Sequence, residues 1–156
     1  MKIKIIALGK IKEKFLKDGI EEFLKRLTPY ANIEIVELTP VEIKDENLIH
    51  KTLEQEAEKI LANIKPNSYV ITLEIQGKQI SSEDFAKKIN EITINGVNEI
   101  VFIIGSSHGI SNTVSKRADF KLSISKMTFL HQFARLLLVE QLYRAFKILK
   151  GETYHK

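Results

Sequence analysis

The stretch NEIVFIIG (98–105) sets Ile100 to Ile104 in unbroken apolar succession. A strand with one wet face alternates apolar and polar side chains, so this strand is expected to be covered on both faces, as in a parallel sheet. KIKIIAL (2–8) alternates and then runs apolar, and SYVITLEI (68–75) is rich in β-branched residues. Helical spacing lies between these runs: Phe15, Leu16, Ile20, Phe23, Leu24 and Leu27 within 13–27, and Leu48, Leu53, Ala57, Ile60, Leu61 and Ile64 within 47–64. Ser82, followed by Glu83 and Asp84, predicts a capped helix through about Ile92. NIEIVEL (32–38) and ADFKLSIS (118–125) read as further strands, and 129–150 as the longest helix, stopped by Gly151. The pattern predicts an α/β fold, a mostly parallel sheet with helices on both faces. A length of 156 residues fits one domain, 1–156.

Such sheets bind ligands beyond the carboxyl ends of their strands. Three segments with notable chemistry end there: LEIQGK (73–78), GSSHG (105–109) and ISKMTF (124–129). If the three strand ends are neighbours, they form one pocket. GSSHG also satisfies the G-x-S-x-G pattern of a hydrolase, with Ser107 as nucleophile and Asp119 with His131 or His155 as formal partners. The same glycines suit a loop that holds a cofactor through its backbone. Neither the Lys-Ser/Thr of a phosphate-gripping loop nor G-x-G-x-x-G is present, which disfavours triphosphates and dinucleotides.

The chain has no cysteine, which excludes disulfides, thiolate metal sites and cysteine nucleophiles. Its four histidines, His50, His108, His131 and His155, show no ligand spacing, so no metal is expected. No segment approaches the ~18 apolar residues of a membrane span, and a cytoplasmic location is expected. Net charge is +4, but nine Lys and Arg against three Asp and Glu fall within 116–156. A basic final quarter is either a solvated helix face or a surface for nucleic acid, which keeps a non-catalytic RNA- or ribosome-binding module as an alternative.

Taken together, TLEIQGK (72–78), FIIGSSHGIS (102–111), LSISKMTFLHQFARLLLVEQLYRAF (122–146) and the tail YHK (154–156) resemble the RlmH family of SPOUT-class methyltransferases. The resemblance runs from the first strand to the end of the chain. It implies a C-terminal trefoil knot holding S-adenosylmethionine, and a homodimer with its site at the subunit interface. It also implies methylation of N3 of a pseudouridine in the helix-69 loop of 23S rRNA on assembled ribosomes. By position, the cofactor residues are Leu73, Gly105, Ile124, Ser125, Lys126, Met127, Thr128 and Phe129. Leu73, Ile124 and Met127 suit the walls of an adenine pocket, and backbone amides its polar edge.

Methyl transfer from a sulfonium needs positioning rather than a covalent nucleophile, but the N3 proton must leave. His131, where the cofactor segment turns into the last helix, is a candidate acceptor; a helix-capping or core histidine is the alternative. Arg135 is expected to meet RNA phosphate, and Arg144 the target base or the partner subunit, unless Arg144 only pairs with Glu140 four residues earlier. Leu136, Leu137, Leu138, Val139 and Leu142 wrap the helix widely enough for burial against a second subunit. Tyr154, His155 and Lys156 combine a stacking ring with cationic groups suited to an unpaired base. As residues past a helix stop, they are expected to be removable without loss of stability.

Overall fold

The computed structural model describes residues 1–156. Five strands, β1 (Lys2–Leu8), β2 (Asn32–Leu38), β3 (Tyr69–Lys78), β4 (Glu99–Ile104) and β5 (Phe120–Leu122), form one sheet in the order β2-β1-β4-β3-β5. Every pairing is parallel, with Ile3 of β1 opposite both Ile33 and Ile100. The helices are α1 (Lys14–Leu27), α2 (Ile49–Leu61), α3 (Ser82–Ile94), α4 (Asn112–Arg117) and α5 (His131–Lys150).

The two-residue period of the strands divides the core. Ile3, Ile5, Ile71, Ile100, Phe102 and Ile104 meet α1, α3 and α5 on one face. Ile6, Leu8, Val70, Val101 and Ile103 meet Ala57 and Ile60 of α2 and Val114 of α4 on the other. All six residues of β4 are buried, as its unbroken apolar run requires. α1 and α5 pack so closely at Gly19 that a Cβ there would stand 3.1 Å from Leu136 Cδ1.

Several boundaries differ from those read in the sequence. Ser81, not Ser82, caps α3, its side chain accepting from the Asp84 amide at 3.0 Å. The segment read as a helix over 47–64 opens as a 3-10 turn at Glu46–Leu48 and stops at Leu61; Pro66, four residues past the helix cap, bars continuation. α4 was not anticipated: Ser111 caps it by accepting from Val114 N, but six residues are too few to show a period. The strand read over 118–125 shrinks to Phe120–Leu122. There the Ser123 hydroxyl donates to the Ser125 carbonyl, and the Ser125 hydroxyl accepts from Met127 N. Such local bonds draw the backbone out of the ladder.

At the β3–β5 edge, Leu122 stands opposite both Leu73 and Lys78, so residues 74–77 bulge around it. Ser123 N then donates to the Lys78 carbonyl at 3.0 Å. Gly77 is essential to this crossing, because a Cβ there would lie 2.7 Å from the Lys121 carbonyl oxygen.

Candidate functional site

The strand order makes β4, β3 and β5 neighbours, and their carboxyl ends open into one cavity of about 740 Å3. That volume lies within the range of small-molecule sites, which are mostly apolar with a few placed polar groups. Leu73, Gly105, Ile124, Ser125, Met127, Thr128 and Phe129 all line it, with His131 and Ala134 from the first turn of α5 closing one side. Lys126 is the exception among the expected cofactor residues: it is exposed and absent from the lining, so its side chain faces away from the cavity. Met127 is 74% exposed and stands at the rim.

The GSSHG loop is a tight turn, with Gly109 N donating to the Ser106 carbonyl at 2.9 Å and Gly109 at φ +86°. Gly105 has another reason to be glycine. A Cβ there would sit 2.5 Å from the Gly109 carbonyl oxygen and from Ile110 Cγ2, so the turn closes only on a residue without a side chain. Buried Glu56 of α2 braces the loop, Oε1 accepting from the Ser106 hydroxyl at 3.2 Å and Oε2 from Val41 N at 3.1 Å. Glu74, also in the lining, accepts from Thr72 and Ser115 hydroxyls. Neither carboxylate was singled out from the sequence. Glu56 was detectable there as a carboxylate on the apolar stripe of Leu53, Ala57 and Ile60.

No catalytic triad surrounds Ser107. It is exposed and makes no hydrogen bond, and no residue other than glycine has positive φ, so the strained turn of a nucleophile elbow is absent. Asp119 is committed elsewhere, accepting from Val70 N at 2.8 Å and pairing with Arg117. The hydrolase reading of Ser107 is therefore set aside.

His131 is the first residue of α5 and does not cap it; the cap position is Leu130, without a side-chain bond. Burial, with the Arg135 charge beside it, pushes the imidazole below its ordinary pKa, against the opposite pull of Glu13. The ring on the cavity wall is therefore neutral at physiological pH and free to accept a proton.

Arg135 is not on the surface, which corrects the expectation that it meets phosphate. Its side chain is 4% exposed; Nη1 contacts Glu37 Oε2 at 2.6 Å and Nη2 donates to the Gly9 carbonyl at 3.0 Å. Helix spacing shows residue 135 below the cavity but gives no sign of the Glu37 partner, 98 residues away.

The tail is not a frayed end. Tyr154 packs edge-on against Tyr143, with centroids 4.8 Å apart, and its hydroxyl donates to Glu140 Oε1 at 3.0 Å. Arg144 pairs with the same carboxylate through Nε and Nη2, and its Nη1 lies 3.1 Å from His155 Nδ1. His155 Nε2 reaches Glu83 of α3 at 2.7 Å. Glu152 joins Lys147 at 2.7 Å and Tyr30 at 2.9 Å. Lys156 is exposed and makes no side-chain contact of this kind, whereas Tyr154 and His155 are half-buried. The Arg144–Glu140 pair is thus present as part of a cluster that includes Tyr154 and His155. Thirteen residues of helix separate His131 from Arg144, about 20 Å, so within one chain this cluster stands apart from the cavity.

No three His, Asp or Glu side chains are placed to hold a metal ion, and no helix is long and apolar enough to cross a membrane.

Residues 1–155 match the family described as "Predicted SPOUT methyltransferase". The chain is 52% identical over 160 residues to a ribosomal RNA large subunit methyltransferase H from Carboxydothermus hydrogenoformans, covering all of both chains. It is equally similar, over the same length, to a putative ribosomal RNA large subunit methyltransferase H from Methanococcus maripaludis. Among solved structures, a probable methylase family protein from Haemophilus influenzae shares the fold at TM-score 0.51 and 15% identity, over 96% of this chain and 66% of that one.

Proposed function

The chain belongs to the SPOUT methyltransferase family, among the ribosomal RNA large subunit methyltransferase H (RlmH) proteins, and from that premise we propose that it methylates 23S rRNA with S-adenosylmethionine as donor. The finer target is N3 of a pseudouridine in the helix-69 loop on assembled ribosomes, which places the protein in the cytoplasm. The observation that carries the reading is the single cavity built from the ends of β3, β4 and β5, where all the expected cofactor residues except Lys126 converge.

The cavity fits the donor in size and in chemistry. Leu73, Ile124 and Phe129 offer apolar walls, and Gly105, Ser125 and Thr128 offer polar groups. When bound, S-adenosylmethionine supplies a methyl group on a sulfonium, open to in-line displacement. The residues of the chain then orient the base, exclude water and move one proton. Neutral His131 accepts that proton from N3 on its imidazole nitrogen. Arg144 favours the N3 anion by its charge, while Tyr154, His155 and Lys156 hold the unpaired nucleotide by stacking and phosphate contact.

The separation of about 20 Å between cavity and tail cluster supports a homodimer in which each tail serves the partner's cavity. Exposed Met127, Phe129, Leu130 and Phe133 at the mouth of the cavity are apolar surface for that contact. The double pairing of Leu122 with Leu73 and Lys78 supports the implied knot, since β5 lies in the crook of a β3 excursion.

The test is calorimetric titration with S-adenosylmethionine, together with mass spectrometry of rRNA from unmodified ribosomes incubated with protein and donor. One cofactor per subunit and a new methyl on the helix-69 pseudouridine are expected. Absence of cofactor binding would leave the RNA-binding module as the reading.

A further inference from the structure

A guanidinium is costly to bury, and a buried one usually holds something in place. Arg135 holds the β1–α1 loop, Gly9 to Glu13, by donating to the Gly9 carbonyl. The loop is pinned at three further points. Gly9 N donates to the Leu38 carbonyl at 2.8 Å, Ile11 packs against the core, and the Glu13 carbonyl accepts from Lys17 N at 3.1 Å. Gly9 adopts φ +100°, and a Cβ there would stand 3.7 Å from His131 Nε2, so the loop borders the wall of the cavity.

With Ile11 turned inward, Lys10 and Lys12 on either side of it are exposed, and neither ammonium takes part in an ion pair or a side-chain hydrogen bond. The next cation along the chain, Lys14, is by contrast engaged with Asp18 at 2.6 Å. Two buried polar atoms in the same region, Glu13 Oε2 and Arg135 Nε, have no partner. Two free cations on a rigid loop beside a cavity are suited to an anionic backbone, because little side-chain anchoring has to be reorganised on contact.

We infer that the Gly9–Glu13 loop, held by Arg135 through the Gly9 carbonyl, is a phosphate-gripping edge of the site, with Lys10 and Lys12 meeting the RNA backbone next to the target base. Arg135 is then a positioning residue whose effect on RNA passes through the loop. The inference rests on the RNA methyltransferase reading and adds to it the place where the strand is gripped.

The experiment compares the wild type with Lys10→Ala/Lys12→Ala and with a control that removes the same charge from the opposite face, Lys51→Ala/Lys116→Ala. The apparent KM for unmodified 70S ribosomes is measured from about 50 to about 200 mM KCl at constant magnesium, where phosphate contacts are strongly screened. Cofactor affinity by calorimetry and oligomeric state by sedimentation are measured in parallel. The loop variant is expected to raise KM at low salt and to reduce the slope of log KM against log salt by about one to two, with kcat and cofactor affinity unchanged within a few-fold. The control keeps the wild-type slope. Arg135→Gln is expected to raise KM in the same way; if it fails to fold, the lysine variants decide alone. A wild-type slope and KM in the loop variant overturn the inference, as does a changed oligomeric state at unchanged slope, which would make the lysines a subunit contact. If the wild type itself neither binds cofactor nor methylates ribosomes, it is the methyltransferase reading that fails.

Discussion

The guanidinium carbon of Arg144 stands 4.8 Å from the centroid of the Tyr154 ring, although the helix carrying Arg144 has stopped at Gly151 in between. The left-handed turn at Gly151, φ +66°, reverses the chain so that the tail lies back along α5. The tail is therefore both part of the proposed substrate site and part of the folded core's edge.

Deleting residues 152–156 is accordingly expected to separate three readouts. Cofactor affinity stays within a few-fold of wild type, because the tail is remote from the cavity in its own chain. Ribosome methylation collapses. Thermal stability falls by about 1–3 kcal/mol, from loss of the cation–π and aromatic contacts, or a few degrees for a domain of this size. Calorimetry, rRNA mass spectrometry and a melting curve on the truncated protein check each part.

Acid should loosen the same tail. Lys147 and Tyr30 beside Glu152, and His155 beside Glu83, hold both carboxyls below the usual carboxylate range. For a depressed carboxyl the stabilising contribution is present above the unfolded-chain pKa of about 4.3 and is lost as pH falls through the lower folded value. Tail proton resonances in NMR should remain dispersed at neutral pH and collapse only below about pH 4.3. A tail already disordered at neutral pH would contradict this.

His131 governs the opposite kind of titration. Its depressed pKa means that the unfolded chain takes up the proton first as pH falls below about 6.5, so stability declines from there downward. As proton acceptor it should place the acid limb of the kcat profile below pH ~6.5. His131→Asn should lower kcat by about 10²- to 10⁴-fold with cofactor affinity little changed. A profile unmoved by the substitution removes His131 from the chemistry.

Ser107→Ala should retain most methylation, and a fluorophosphonate should label nothing, because the exposed hydroxyl makes no hydrogen bond to a base. Stoichiometric labelling, read by intact mass, would restore the hydrolase.

Gly105→Ala tests whether the loop holds its backbone against the cavity. Its Cβ meets the Gly109 carbonyl at 2.5 Å, so the loop itself must open. Overpacking of this kind costs about 1–3 kcal/mol, and a displaced loop removes its backbone from the cavity wall. Both a lower melting temperature and a cofactor affinity reduced by more than about tenfold, equivalent to about 1.4 kcal/mol, are expected. Wild-type values for both would show that the turn can rearrange freely.

The sheet was legible because period-two and period-3.6 patterns are local, and the apolar run at Ile100–Ile104 already implied two covered faces. The convergence of 73–78, 105–109 and 124–129 was legible only as a condition, since strand order is set by pairings distant in sequence. What the sequence hid were contacts of that same long range. The Arg135 partner Glu37, the Glu56 brace under Ser106 and the Glu83 contact of His155 lie 98, 50 and 72 residues away. A basic residue near a pocket reads as surface until such a carboxylate is found. Ser81 and Ser82 were indistinguishable as caps because adjacent serines offer the same hydroxyl one position apart.

The central pairing of the sheet also dictates an order of assembly. β1 emerges first in synthesis, yet its partner β4 lies almost a hundred residues downstream, with Lys2 opposite Glu99. Contacts so distant close slowly. α5, which covers Ile5 and Phe102 on one face, comes later still. Until the final quarter of the chain is made, the face of Ile3, Ile5 and Phe102 has α1 and α3 but not the α5 residues Leu138, Val139 and Leu142 that complete its cover, and the cavity lacks the wall from Ile124 to His131. A nascent chain interrupted before β5 therefore exposes apolar surface that the finished fold buries, and the core and the cavity are completed in the same closing step.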